Sequence, residues 1–480
     1  MGNNEKKEYR KQTGQGGPFI HVMQTSRQKY LYDVNTNEVF GISDELYEYF
    51  KEGRPLDESG RESLHRLKEQ GYLKENRTRI VEHPLTELLE YYLNYKMSHL
   101  VLQVTQSCNL RCEYCVYSGA YHNRGHSEQR MPFEMAKKGI EYLIAHSRDS
   151  GRIGISFYGG EPLLAFDLIQ DCVEYSKREA EGRRVDFHFT TNGTLLTEEK
   201  LPFLVENQFS ILISLDGPEP IHDRHRKFAG SSKGSHQTVI QNIKRIRALY
   251  PEFYRSNIRF NTVLDPQNSF ADVEQYMTGE ELFRENRLLC NIISDMYVKR
   301  QSVYGEVFPA EYEYGICSHY LAMLEGCEED HRFRMLQNYA GQIKRIAEMS
   351  QVGRQECLSE RGHRGGPCLP GVRKLFLSAD GFFYPCEQVS ESSKASLLGS
   401  LESGLDLEKA GALLNLERYT PEMCRDCWAY RYCNICIARA DDGERISASY
   451  IGRSCAFMRE SVENDLLDYC TLRDLGYDFG

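Results

Sequence analysis

Gln106-Ser107-Cys108-Asn109-Leu110-Arg111-Cys112-Glu113-Tyr114-Cys115 is the stretch on which the fold turns, three cysteines on one short loop with CX3CX2C spacing. The apolar run Leu100-Val101-Leu102-Gln103-Val104 leads into it and reads as a buried strand. Three thiolates on one tight loop can bind three irons of a 4Fe-4S cluster and leave the fourth iron open. A structural zinc ion takes four protein ligands, so a lone triple at this spacing suits zinc poorly.

Downstream, short apolar runs alternate with amphipathic helical stretches. Strands are expected at Leu100–Val104, Ile153–Phe157, Val185–Thr190, Ser210–Leu215, Ile258–Leu264 and Leu288–Ile293. Six such repeats predict an α/β architecture, a partial (β/α)6 TIM-like barrel over residues 98–350. The helix from Thr238 illustrates the packing, with Val239, Ile243, Ile246 and Tyr250 on one stripe. Gly159-Gly160-Glu161-Pro162, Thr191-Asn192-Gly193-Thr194 and Ser214-Leu215-Asp216-Gly217-Pro218 close the second, third and fourth strands. Barrel enzymes build their sites at these C-terminal strand ends.

Upstream, residues 1–17 are polar, carry Lys6, Lys7, Arg10 and Lys11, and read as a disordered tail rather than a signal peptide. Residues 18–80 form a second unit. Its strands are expected at Phe19–Met23, Lys29–Asp33 and Val39–Gly41, with a turn at Asn35-Thr36-Asn37. A helix starts at Ser43-Asp44-Glu45, and another carries Leu64 and Leu67 and closes at Gly71-Tyr72-Leu73. The pattern is a small winged-helix-like α+β domain, joined to the barrel by a linker helix over residues 81–97.

Beyond about Gly353 the helical period breaks and Gly, Pro and Cys become dense, as expected where metal replaces an apolar core. This cysteine-rich domain spans 351–460, and 461–480 reads as a C-terminal tail. Cys368, Gly381 and Cys386 come first, followed by Cys424, Cys427, Cys433, Cys436 and Cys455. Two CX2C pairs are also a zinc-ribbon pattern, so spacing alone leaves zinc open here. Cys172, Cys290, Cys317, Cys327 and Cys470 lie in regular stretches and are expected to be buried structural thiols.

The composition sets the outer limits. The chain has 480 residues, 59 basic against 70 acidic, and a net charge of −11, which argues against non-specific nucleic-acid binding. No apolar run approaches the roughly 18 residues that span a bilayer. Sixteen cysteines without an export signal point to metal or catalytic use and to the cytoplasm.

The cysteine triple, followed in order by the Gly159-Gly160-Glu161-Pro162 element, resembles the radical S-adenosylmethionine (radical SAM) superfamily. The resemblance implies that the Gly159 and Gly160 backbone and Glu161 contact the amino group of the cofactor's methionine moiety. Tyr114 would lie near the adenine, and Asn192, Ser214 and Arg226 would complete the cofactor site. Cys108, Cys112 and Cys115 would hold the cluster.

The C-terminal pattern resembles the SPASM domain of peptide-modifying radical enzymes, with one departure: Cys433 and Cys436 are spaced CX2C where that domain has CX3C. It implies two auxiliary 4Fe-4S clusters. The outer would use Cys424, Cys427, Cys433 and Cys455; the inner would use Cys368, Cys386 and Cys436, with its fourth iron open or bound by Cys357. Glu387 falls where SPASM enzymes that oxidise a cysteine or serine carry an Asp base.

The N-terminal unit resembles the PqqD-like leader-peptide recognition element of peptide maturases. The stretch Tyr117-Ser118-Gly119-Ala120-Tyr121-His122-Asn123-Arg124-Gly125-His126 is similar to that of ranthipeptide- and sactipeptide-type thioether maturases. Together these resemblances imply S-adenosylmethionine, three 4Fe-4S clusters, a precursor peptide with a leader sequence, and an electron donor such as flavodoxin or ferredoxin. Neither membrane nor nucleic acid is expected as a partner. The implied reaction joins a cysteine sulfur to a carbon of another residue. Carbon–carbon crosslinking, epimerisation and formylglycine formation as in sulfatase maturation are alternatives, and a zinc-binding regulator with a DNA-binding wing is the non-enzyme alternative.

Overall fold

The computed structural model describes residues 17–327, 334–353, 358–366 and 368–479. Strands β5 (His99–Thr105), β6 (Arg152–Gly159), β7 (Arg184–Thr191), β8 (Ser210–Ser214), β9 (Ile258–Leu264) and β10 (Arg287–Ile292) lie side by side, all parallel. Each matches an expected strand to within one or two residues. In β5 every residue after His99 is buried, as a parallel strand covered on both faces requires. The helix His236–Leu249 buries Val239, Ile243 and Ile246 against the sheet, the stripe read from the sequence.

The sheet does not stop at β5. β12 (Leu375–Leu377) pairs parallel with it, Leu375 opposite Leu100, and β13 (Phe382–Tyr384), β14 (Gly399–Ser400) and β15 (Gly404–Leu405) continue antiparallel. The cysteine-rich segment therefore extends the parallel sheet and covers the edge that β5 would otherwise expose.

Near the N-terminus, β1 (Ile20–Gln24), β2 (Lys29–Asp33) and β3 (Glu38–Ile42) form an antiparallel sheet in the order β1-β2-β3. The helix Asp44–Glu52 follows, capped by the Ser43 hydroxyl and ended at Gly53 with φ of +75°. Asp57 caps the next helix, Glu58–Glu69, by accepting from the Gly60 N–H at 2.8 Å. The linker is helical only over Leu89–Tyr95; β4 (Ile80–Val81) precedes it and pairs with β11 (Arg361–Gly362).

Three expectations need correction or lie out of view. Residues 461–474 are not a tail: they belong to the helix Ala448–Asp474, which buries Ile451, Cys455, Met458, Val462, Leu466 and Tyr469 at helical spacing. This stripe packs on the helix Gln337–Gly353 and on β1, and the cysteine spacing had drawn attention from it. Cys317 and Cys327 are exposed, not buried, whereas Cys172 and Cys470 are buried. Residues 1–16 and Cys357 lie outside the described residues. Among the described residues no helix is long and apolar enough to cross a membrane.

Candidate functional site

The cysteine loop leaves β5 at Thr105 and is held against the end of β6. Gly160 N–H donates to Thr105 O at 3.0 Å and Glu161 N–H to Ser107 O at 2.9 Å. A Cβ at Gly159 or Gly160 would overlap the Thr105 or Ser107 carbonyl, and Gly159 has φ of +143°, so both positions require glycine. The approach places the Gly159-Gly160 backbone directly beside Cys108.

Asn192, just past the end of β7, fixes the loop from the other side. Its Nδ2 donates to Asn109 Oδ1 at 2.8 Å and reaches Cys108 Sγ at 3.8 Å, while its Oδ1 accepts from Thr194 N–H at 3.0 Å. Asn109 Nδ2 in turn donates to the Thr194 hydroxyl at 2.8 Å. Burial pushes the Cys108 and Cys112 thiols up to about 12 and raises Cys115 as well. Each of the first two is raised further by the charge of the other two cysteines or of Cys115. Such thiols ionise only beside a compensating cation, which suits iron ligands.

Glu161 is held by protein donors on every side that the hydrogen bonds show. It is fully buried, and its oxygens accept from Leu163 N–H at 3.1 Å, the Thr191 hydroxyl at 2.8 Å and Asn192 N–H at 2.8 Å. It ties β6 to β7 and orients Asn192; what the Gly-Gly-Glu element leaves for a ligand is backbone. Burial pushes its pKa up to about 6 against these three donors.

Arg226 is likewise committed. Its guanidinium grips Asp216 with Nε at 2.7 Å and Nη2 at 3.2 Å, and stacks over the Tyr114 ring at 5.5 Å. The Tyr114 hydroxyl donates to the same carboxylate, and Val263 N–H donates to Asp216 Oδ1 at 3.1 Å. Burial alone would raise the Asp216 pKa, but the Arg226 charge and hydrogen bonds hold it below the usual carboxylate value. Arg226 therefore braces the Tyr114 ring through Asp216, using Nε and Nη2. Ser214 ends β8, nearly buried, opposite Asn261 of β9.

The C-terminal cysteines fall into two groups. Cys424, Cys427, Cys433 and Cys455 feel one another: burial raises the first two and Cys455, and the neighbouring thiolates raise them further. Thr420 Oγ1 lies 3.3 Å from Cys424 Sγ, and buried Arg364 donates to Cys433 Sγ at 3.5 Å. Cys386 sits beside Cys436, and Lys374 lies beside both Cys386 and Cys368. The charge of Cys433 is thus felt by Cys424, Cys427 and Cys455, and that of Cys436 by Cys386.

Among the described residues no three His, Cys, Asp or Glu side chains converge as a single metal ion would need. In a 4Fe-4S cluster each cysteine binds a different iron, so its ligands stand apart. The mutually repelling thiols of the first loop and of Cys424, Cys427, Cys433 and Cys455 fit that chemistry, whereas Cys368 is exposed. Glu387 Oε1 pairs with Lys374 Nζ at 2.7 Å, and its Oε2 is buried with no hydrogen-bond partner among the described residues.

Sequence reading passed over Asp216, Asn109, Gln103 and Glu391 as site residues. Asp216 carried a signal, standing in the quoted turn after β8. The others act through partners distant in sequence and carried none.

Residues 102–278 match the family model of the Radical SAM superfamily. Over 143 residues the chain is 35% identical to an uncharacterized protein of Methanocaldococcus jannaschii, covering 30% of this chain and 46% of that protein. It is 22% identical to a cysteine-type anaerobic sulfatase-maturating enzyme of Clostridium perfringens over 375 residues, 76% of this chain and 95% of the relative. The chain spans less than half the length of the first curated relatives it matches. A solved structure described as native anSMEcpe with bound AdoMet and Cp18Cys peptide superposes with a TM-score of 0.56 at 20% identity, covering 78% of this chain and 98% of that one. The chain has a mixed α/β fold built on a sheet of parallel strands, shared with that solved structure, and the Radical SAM match lies within this sheet.

Proposed function

We propose that the chain is a radical S-adenosylmethionine enzyme that joins a cysteine sulfur to a carbon of another residue in a ribosomally made, cysteine-rich precursor peptide. One observation carries the class of chemistry: the Cys108–Cys115 loop, the Gly159-Gly160 backbone and Asn192 converge at the C-terminal end of one parallel sheet. When bound, a reduced 4Fe-4S cluster and S-adenosylmethionine supply a 5′-deoxyadenosyl radical that takes a hydrogen atom from an unactivated C–H.

The chain's own residues do the rest. Cys108, Cys112 and Cys115 hold the cluster; the Gly159-Gly160 backbone and Asn192 side chain receive the methionine end; Tyr114, braced by Asp216 and Arg226, and Ser214 border the nucleoside. Cys424, Cys427, Cys433 and Cys455 hold an outer auxiliary cluster, and Cys368, Cys386 and Cys436 an inner one. A low-potential donor such as flavodoxin or ferredoxin supplies electrons.

The peptide substrate is supported by the solved neighbour, which holds AdoMet and Cp18Cys peptide. It is also supported by β1, an edge strand bordered by a cleft of about 690 Å³ lined by Met23, Thr25, Lys51, Trp428, Arg459 and Glu463. An added leader strand would gain backbone hydrogen bonds there, with pockets for alternate side chains.

A second reading, oxidation of a cysteine or serine to formylglycine, is favoured by the names of the sulfatase-maturating relatives. Glu387 sits at that chemistry's base position, but Lys374 holds one of its oxygens.

Tandem mass spectrometry with thiol alkylation, on a cysteine-rich precursor co-expressed anaerobically with the chain, tests the reading. Loss of a hydrogen pair together with one alkylatable thiol per bridge is the expected result. Hydrogen loss with every thiol still alkylatable overturns thioether formation. Persistent 5′-deoxyadenosine formation after Cys108, Cys112 and Cys115 are all replaced by Ala overturns the radical assignment.

A further inference from the structure

Between the first cysteine loop and the loop that follows Cys386 lies a buried cation. The Arg124 side chain is only 2% exposed and is paired at 3.0 Å with Glu391, itself 12% exposed. Its Nη1 donates to the Tyr158 hydroxyl at 3.0 Å, and Tyr158 directly precedes Gly159-Gly160. Its Nη2 donates to two backbone carbonyls, Glu387 O at 3.0 Å and Val389 O at 2.9 Å. The guanidinium lies over the rings of Tyr117, Tyr158 and Phe376 at 5.5 to 5.6 Å.

Glu391 is gripped from the barrel side as well. Gln103, fully buried on β5, donates through Nε2 to both Glu391 oxygens, at 2.9 and 3.1 Å, and to the Tyr117 hydroxyl at 3.0 Å. Gln103 Oε1 accepts from Ala379 N–H at 2.9 Å. The network therefore joins five places: β5 just before Cys108, the loop just after Cys115, β6 just before Gly159, the β12–β13 turn, and the chain after Cys386.

Burying an ion pair is costly, and apolar residues of similar volume would glue these loops at less cost. What a guanidinium adds is direction, since its planar fork fixes several acceptors at set angles. Arg124 itself follows the first thiol loop, and the acceptors it fixes lie on β6 just before Gly159 and on the chain after Cys386.

We propose that Arg124, charge-paired with Glu391, is a positioning residue that sets the separation between the Cys108–Cys115 group and the Cys368, Cys386 and Cys436 group, and so couples cofactor cleavage to product formation. This rests on the proposed function, because it needs an inner cluster to position. A neighbour that merely packs would be replaceable by an apolar side chain without loss of coupling; Arg124 would not be.

The test uses the full chain, reconstituted anaerobically, as wild type and as Arg124→Lys, Arg124→Met and Glu391→Gln. The readouts are iron content, magnetic coupling between reduced clusters by electron paramagnetic resonance, and crosslinked peptide formed per 5′-deoxyadenosine released. In variants that retain wild-type iron, cleavage should persist while product per cleavage falls, by about 100-fold in Arg124→Met. Arg124→Lys should recover part of that loss, and the inter-cluster coupling should change in step. An unchanged ratio and unchanged coupling in iron-replete variants overturns the proposal. So does a parallel loss of iron, cleavage and product in all three, which marks plain structural glue. Failure of the underlying reading is distinguishable, since it appears in the wild type as no 5′-deoxyadenosine or as iron for one cluster only.

Discussion

The two cysteine-bearing regions are built on opposite principles. At the barrel mouth, Cys108 sits on a loop pinned by backbone bonds to Gly160 and Glu161 and by the Asn192, Asn109 and Thr194 side chains. Those restraints grow out of strands of five to eight residues with apolar cores. In the C-terminal region the strands β11 to β15 are two or three residues long, Cys424 lies in the short helix Pro421–Arg425, and Cys427, Cys433 and Cys436 lie in irregular backbone beside short helical turns. There the thiol groups rest on a few side-chain contacts, chiefly Thr420 to Cys424 and Arg364 to Cys433. The protein itself pins the first loop; the second region has fewer such restraints on its thiols, and metal bound there would add to its order.

The sharpest way to break this contrast is to withhold iron. In the iron-free chain, limited proteolysis should cut first within residues 358–447 while the segment 99–292 stays protected, with the difference read by mass mapping. Equal protection of both regions would show that the C-terminal fold stands without metal, and the contrast would collapse.

A smaller effect sharpens the protein-made half. Arg226→Met leaves Asp216 buried without its cation and should cost about 3–5 kcal/mol in denaturant unfolding. Because the folded Asp216 pKa lies below its unfolded value, the pair's stabilisation is present above that unfolded value and is lost as pH falls through the folded one. The wild type's advantage over the variant should therefore shrink in acid. An advantage independent of pH would show that packing, not charge, holds Tyr114.

Glu161 gives the smallest effect and the opposite sign. Its pKa of about 6, against an ordinary 4.5, means that the folded state disfavours the carboxylate. Stability should rise by about 2 kcal/mol as pH falls from roughly 6 to 4.5, by linkage. Glu161→Gln should flatten that slope in unfolding curves measured across the window, while sacrificing acceptor bonds to Leu163, Thr191 and Asn192. A slope that survives the substitution would assign it elsewhere.

What was legible in the sequence shares one property, namely that its signal is local. The six strands could be read because a buried parallel strand is a short apolar run, and Gly159-Gly160 because a close backbone approach admits only glycine. The helix Ala448–Asp474 was cut at residue 460 because cysteine spacing masked a stripe that only its packing against Gln337–Gly353 and β1 makes evident. The partners of Glu161 and Arg226 were hidden for a related reason. Side-chain identity shows that a carboxylate or guanidinium is present, not which partner reaches it first.

The sequence by itself determined the parallel α/β core, the cysteine triple at the end of its first strand and the glycines beside it, since each follows from residue type at fixed spacing. Only the tertiary structure decided that Arg226 belongs to Asp216 and that Arg124 bridges to Glu391 across 267 positions of chain. Those pairings are contacts between distant segments, and their energies come from burial and charge that exist only once the segments have met.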